Sequence, residues 1–170
     1  MLLSKTPFRI SFAGGGSDYF NNSSNMRGRV LVTTINKYIY VALNERYNRE
    51  FRISYSQTEI SKSVNKIKHE IIRNALKFYN IKKGVEIVTL ADIPSSGSGL
   101  ASSSALTVGL VNLINKYKNK NITQKKIAEE SCLIEINKCK KPIGMQDQYS
   151  TAFGGLNRFE FYKNKVRIKK

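Results

Sequence analysis

The alternation of apolar and polar positions divides the chain into short strands followed by helices. Thr6–Phe12 alternates with the period of a strand and runs into Ala13-Gly-Gly-Gly-Ser-Asp18, a turn that suits glycine's freedom at positive φ. Gly28–Asn36 and Tyr38–Leu43 read as two strands rich in β-branched and aromatic residues, and Phe51–Ser56 as a third. Val64, Ile67, Ile71, Ile72, Ala75, Leu76 and Tyr79 recur at helical spacing and predict one amphipathic helix over Val64–Tyr79. Val85–Leu90 is a strand. From Ser102 to Tyr117 the pattern is helical and apolar nearly all round, which predicts a buried helix. Thr123 is positioned to cap a helix over Gln124–Lys138. Pro142–Asp147 then reads as a loop, Gln148–Phe153 as a short helix, and Leu156–Tyr162 and Lys165–Ile168 as strands. Strands precede and separate the helices without a strict βαβ repeat. The fold class expected is therefore α+β, with residues 1–170 as one domain.

Composition adds exclusions more than assignments. The 41% apolar content suffices for a core, and neither a signal peptide nor a membrane-length apolar run is present, so a cytoplasmic location is expected. Two cysteines, Cys132 and Cys139, and a single histidine, His69, argue against a disulfide framework and against zinc. The formal charge of +17 leaves open a nucleic-acid binder, an enzyme of anionic substrates, or solvated lysine-rich helix faces. No interleaving of aromatic and basic residues marks an RNA platform, which weighs against nucleic acid as the partner.

The segment from Pro94 to Ala105 changes the picture. It is rich in glycine and serine and lies between the strand at Val85–Leu90 and the buried helix. Such a loop can bring backbone N–H groups to an anion, and the helix start adds unpaired donors and partial positive charge. A flexible turn is the other reading of the same composition. Neither the P-loop nor the dinucleotide glycine fingerprint is present. Only three aspartates occur, and two of them, Asp18 and Asp147, sit in glycine-bearing segments.

Three segments in order, Pro7–Asp18, Pro94–Ser104 and Gly144–Gln148 with Glu135 before the last, resemble the GHMP family of small-molecule kinases. Arg9-Ile-Ser-Phe-Ala-Gly-Gly-Gly-Ser-Asp18 is most similar to the branch acting on D-glycero-D-manno-heptose 7-phosphate. The resemblance implies the N-terminal domain of that family, a mixed, largely antiparallel sheet with helices on one face, shared with a ribosomal-protein domain. It implies ATP and Mg²⁺ as cofactors and a sugar phosphate as substrate. Pro94, Ser96, Gly97, Ser98, Gly99, Leu100, Ala101, Ser102, Ser103 and Ser104 would wrap the ATP phosphates. Ser103 and Glu135 would hold the metal. Asp147 would accept the proton of the attacking hydroxyl, or orient it, and Arg9 would offset charge on the transferring phosphoryl group. Gly15, Gly16, Ser17 and Asp18, with Asp147, would bind the sugar. Structural alternatives stand beside these roles. Arg9 can be a surface charge, Glu135 a partner for Lys138, Asp18 a turn or cap residue, and Asp147 a helix cap. A fucose- or galactose-type kinase is the neighbouring alternative, although Gly15-Gly-Ser-Asp-Tyr19 differs from the acid-His-Thr-Asp-Tyr pattern of galactokinases. Members of the family carry a second domain with a third glycine-rich motif that this sequence does not include. A separate C-terminal half, or a second copy of the chain, is the partner this implies.

Overall fold

The computed structural model describes residues 1–19, 28–94, 98–162 and 165–169. A seven-stranded mixed sheet carries four helices on one face. The strands are β1 (Leu2–Ala13), β2 (Gly28–Glu45), β3 (Phe51–Ser54), β4 (Thr58–Ser61), β5 (Val85–Ala91), β6 (Leu156–Tyr162) and β7 (Lys165–Lys169). Long β2 is the spine. It pairs with β1 along one edge; along the other it pairs with β5 through Ile39–Glu45 and with β6 through Gly28–Thr33. Among the described residues, β3 and β5 are the one parallel pair.

The expected strands Gly28–Asn36 and Tyr38–Leu43 are the two halves of β2. Their separation in the sequence pattern has a physical cause. The β1–β2 register shifts between Pro7↔Tyr38 and Arg9↔Thr34, and the buried face changes parity across it. Val30 and Val32 are buried on one side of the shift, Ile39, Val41 and Leu43 on the other. Local twist increases and side chains are re-aimed at such an irregularity. Here Arg9 follows directly on the core residue Phe8 and is aimed at the helices.

The helices are α1 (Glu70–Phe78), α2 (Ser102–Tyr117), α3 (Gln124–Cys132) and α4 (Gln146–Phe153). Helix α2 lies centrally against β1 and β2, buried along most of its length as its apolar pattern predicts. Gly109 permits this approach, because a Cβ there would meet Ser4 Oγ at 2.9 Å and Thr6 Oγ1 at 3.0 Å. A second cluster of Val30, Val32, Tyr149, Phe159 and Phe161 packs under α3 and α4. No helix among the described residues is long and apolar enough to cross a membrane.

Several expected boundaries differ, and β1 begins at Leu2, four residues before the expected Thr6. The single helix over Val64–Tyr79 is a 3-10 turn (Val64–Lys66) followed by α1. Glu59 accepts the backbone N–H of Lys68 and of His69, at 2.6 and 3.0 Å, and His69 Nδ1 accepts that of Ile72, so side chains take over the backbone bonds at the break. The strand expected over Phe51–Ser56 ends at Ser54 and returns as β4. Helix α3 continues to Lys138, but its last six residues form a π-helical turn, and α4 starts at Gln146, two residues earlier than expected.

Candidate active site

Arg9 is the hub of the site. Its Nε and Nη2 donate to Asp147 Oδ1 at 2.9 and 2.7 Å, and Nη1 donates to the Gly99 carbonyl at 2.6 Å. The Arg9 backbone N–H reaches the Leu100 carbonyl at 3.2 Å. One strand residue thus fixes the end of the serine loop to the start of α4. Gln146 Nε2 adds a third bond to Asp147 Oδ1 at 3.2 Å. Among the described residues, every bond to this carboxylate falls on Oδ1. The Asp147 side chain is 28% exposed, against 12% for Arg9.

The loop reaches α2 through two left-handed residues, Gly99 at φ +66° and Ala101 at φ +64°. The second carries a Cβ, a conformation that costs about 1–2 kcal/mol. Ala101 caps α2 but offers no side-chain acceptor to the first turn. The donors at that helix end therefore depend on other partners, and the partial positive charge there favours an anion. Of the residues expected to form the phosphate loop, Ser98, Gly99, Leu100 and Ala101 lead into α2 and Ser102, Ser103 and Ser104 form its first turn, while Pro94 stands ahead of them after β5. Ser96 and Gly97 lie outside the described residues.

Beneath the first turn of α2 sits Glu135, with no exposed surface. Ser103 donates to its Oε1; Ser104 and Gln148 Nε2 donate to its Oε2 at 2.7 and 2.6 Å. Lys141 Nζ stands 3.3 Å from Oε1 and 2.5 Å from Ser103 Oγ. A buried carboxylate needs such a complement of donors, since unpaired charge is costly. The alternative pairing of Glu135 with Lys138 is not formed, and Lys141 takes that place. Among the described residues no group of three or more His, Cys, Asp or Glu side chains could hold a metal. Glu135 and Ser103 nevertheless fit a hard cation that takes its remaining ligands from phosphates and water, because their oxygens already share a lysine ammonium.

In the triple-glycine turn, Ser17 Oγ donates to the Gly14 carbonyl at 2.6 Å and accepts the Arg29 backbone N–H at 3.2 Å, which ties the turn to β2. Asp18 is only 6% exposed and accepts the Gln146 backbone N–H through Oδ2 at 2.8 Å. It thus holds the N-terminus of α4, and with it Asp147. Gly144 is required by this contact, because a Cβ there would stand 2.1 Å from Asp18 Oδ2.

Arg9, Gly15, Gly16, Asp18, Gly99 and Asp147 face one open cleft of about 520 Å³. Pro94, Ser102 and Ser103 border a second cavity of about 530 Å³, walled by Tyr55, His69 and Leu106. The serine loop contributes to both. Tyr55 and His69 meet edge to face with centroids 4.7 Å apart, and burial holds the His69 imidazole below its ordinary pKa. Sequence reading did not single out Lys141, Gln148, Tyr55 or His69 for the site. Gln148 stands thirteen residues from Glu135, and nothing in the spacing of a lone Gln-Asp-Gln shows which glutamine turns inward. Cys132 and Cys139 are both buried, and burial pushes their thiols up.

Comparison with known proteins follows the same lines. The family described as GHMP kinases N terminal domain matches residues 64–155. The chain is 32% identical, over 95% of its length, to D-glycero-alpha-D-manno-heptose 7-phosphate kinase of Campylobacter jejuni, and covers 51% of that protein. It is 24% identical to a galactokinase of Thermotoga petrophila, over 88% of this chain and 43% of the relative. A D-glycero-D-manno-heptose 1-phosphate kinase from Bacteriodes thetaiotaomicron superposes with a TM-score of 0.87 at 28% identity, over 98% of this chain and 58% of that one. The chain thus spans about half the length of the curated relatives it matches. With its mixed sheet, serine loop and Asp147-bearing helix, it belongs to the GHMP kinase family, as that family's N-terminal domain.

Proposed function

We propose that the chain is the nucleotide-binding half of an ATP-dependent sugar kinase. The substrate assigned is D-glycero-D-manno-heptose 7-phosphate, phosphorylated on its anomeric hydroxyl to the 1,7-bisphosphate. The observation that carries this reading is the Arg9 bridge. It puts a partly exposed carboxylate, Asp147, and the phosphate-type loop at Gly99–Leu100 on one cleft wall.

The sugar hydroxyl oxygen attacks the γ-phosphorus, its proton passes to Asp147, and ADP departs. Arg9 holds Asp147 by Oδ1, so Oδ2 is the oxygen that meets the hydroxyl. The same guanidinium lies between that carboxylate and the loop, where negative charge gathers in the transfer. The N-terminal turn of α2 receives the phosphates, and the cavity beside Tyr55 and His69 takes the nucleoside. Ser103 and Glu135 would hold a magnesium ion, which would supply neutralisation of the phosphate charge. Heptose as the substrate is supported by the 32% identical relative, and the dependence on a second half by the length of the relatives.

The test is conversion of the heptose 7-phosphate with Mg·ATP, followed by phosphorus NMR, for the chain alone and with the second half of a relative supplied as a separate polypeptide. Galactose and fucose serve as comparison substrates. A bisphosphate formed from heptose phosphate, and absent with Asp147→Asn, is the expected result. The absence of both product and nucleotide binding in every combination overturns the reading.

A further inference from the structure

Lys141 has no part in the transfer just described, yet it is one of the most constrained lysines in the chain. Its side chain is 26% exposed, compared with 52–75% for the lysines in the ion pairs Lys83–Glu45, Lys125–Glu129 and Lys126–Glu130. Lys140 takes φ +53°, which turns the chain back at the end of the π-helical segment. The Lys141 N–H then bonds the carbonyl of Glu135 itself at 3.1 Å. Pro142 follows, and its ring fixes its own φ. Backbone and side chain of Lys141 are thus both anchored to the residue whose carboxylate the ammonium meets.

The position reached is unusual for a cation. Nζ lies 2.5 Å from Ser103 Oγ, in the first turn of α2, where the helix dipole repels positive charge. Among the described residues, Glu135 is the carboxylate that offsets this. The other carboxylate oxygen, Oε2, is filled by the neutral donors Ser104 and Gln148, so Oε1 and Ser103 Oγ form a two-oxygen seat. The ammonium occupies that seat.

We propose that Lys141 is an internal counter-cation that holds the metal position until a divalent ion displaces it. This rests on the reading of Ser103 and Glu135 as the metal-holding pair. The consequence is that free divalent metal binds the chain weakly, and that metal enters with nucleotide, whose phosphates add ligands. A place for the displaced ammonium exists. Lys141 also borders a cavity of about 580 Å³ into which Asp18 and Glu129 contribute. The arrangement keeps buried Glu135 neutralised in both states, which avoids the cost of an unpaired interior charge.

The experiment is titration of the full chain with Mn²⁺, without nucleotide, followed by the electron paramagnetic resonance of free manganese. Lys141→Met is expected to tighten Mn²⁺ binding by about tenfold or more, since one close positive charge is removed from the seat. Lys138→Met, which removes an exposed lysine of the same segment, is expected to change it less than about twofold. Lys141→Gln preserves polar contacts with Ser103 and Glu135 and gives the same tightening if the methionine variant folds poorly. Lys141→Arg keeps binding weak. Equal Mn²⁺ affinity for wild type, Lys141→Met and Lys141→Gln overturns the proposal. A separate arm with Mn²⁺ and a non-hydrolysable ATP analogue tests the underlying reading. Undiminished metal binding by Glu135→Gln there removes Glu135 as a ligand, whatever the lysine variants do.

Discussion

Glu135 and Asp147 come from one stretch of chain, twelve residues apart, and live in opposite surroundings. Glu135 has no exposed surface and accepts four donors, which occupy both of its oxygens. Asp147 is 28% exposed, and its bonds converge on one oxygen. The first carboxylate is a structural joint between α2, α4 and the π-helical turn, as well as the candidate metal ligand. The second is held by one side and offered to a cleft. Burial and bond count separate the two roles, where the sequence shows only two acids near the same glycine.

The largest expected effect breaks that comparison at its buried end. Glu135→Ala strands the Lys141 ammonium and the hydroxyls of Ser103 and Ser104, and should cost about 3–5 kcal/mol in urea unfolding. Asp147→Asn keeps an acceptor for Arg9 and should stay within about 1 kcal/mol of wild type while losing the phosphoryl transfer proposed above. Equal destabilisation by the two would contradict the division of roles.

Next in size is Gly144→Ala, whose Cβ enters the space of the Asp18 carboxylate. A loss of about 2 kcal/mol is expected, together with weaker substrate turnover through a displaced Asp147. Combining it with Asp18→Ala removes the clash with the carboxylate and leaves the approach to the Asp18 backbone carbon at 2.8 Å. The double variant should therefore lose less than the sum of the two single variants in a denaturation cycle. Asp18→Ala alone removes an acceptor from the α4 N-terminus and should cost about 1 kcal/mol.

The smallest effect belongs to neither carboxylate. His69 has its pKa held below the ordinary 6.5 by burial, and its Nδ1 must stay unprotonated to accept the Ile72 N–H. Below pH 6.5 the unfolded chain takes up a proton that the folded chain resists, so stability falls as pH drops through that value. His69→Asn, which can still cap α1, should lose less stability than wild type between about pH 7.5 and 5.5 in matched urea titrations.

Much of this molecule was legible because its local patterns agree with their surroundings. The all-round apolar face of Ser102–Tyr117 is the signature of a helix sunk against a sheet, and the Thr123 cap is found where expected. The break in the helix expected over Val64–Tyr79 comes from side chains acting on the backbone. Nothing local at Val64–Tyr79 shows that Glu59 will take the N–H groups of Lys68 and His69 and break the helix. The order of motifs pointed to Arg9, Asp147, Ser103 and Glu135, and the fold brings them together in two linked pairs. The role of Asp18 as the holder of α4 depends on a contact spanning 128 residues, and that of Lys141 on a chain reversal at Lys140. Neither has a periodic trace.

The central claim is that the serine loop and the Ser103–Glu135 pair form a nucleotide–metal seat. Isothermal titration of the chain with the Mg²⁺ complex of a non-hydrolysable ATP analogue tests it most directly. The account predicts measurable binding by wild type, weakened about tenfold or more by Ser103→Ala and retained by Asp147→Asn. Absence of binding by wild type, or equal affinity for wild type and Ser103→Ala, would contradict it.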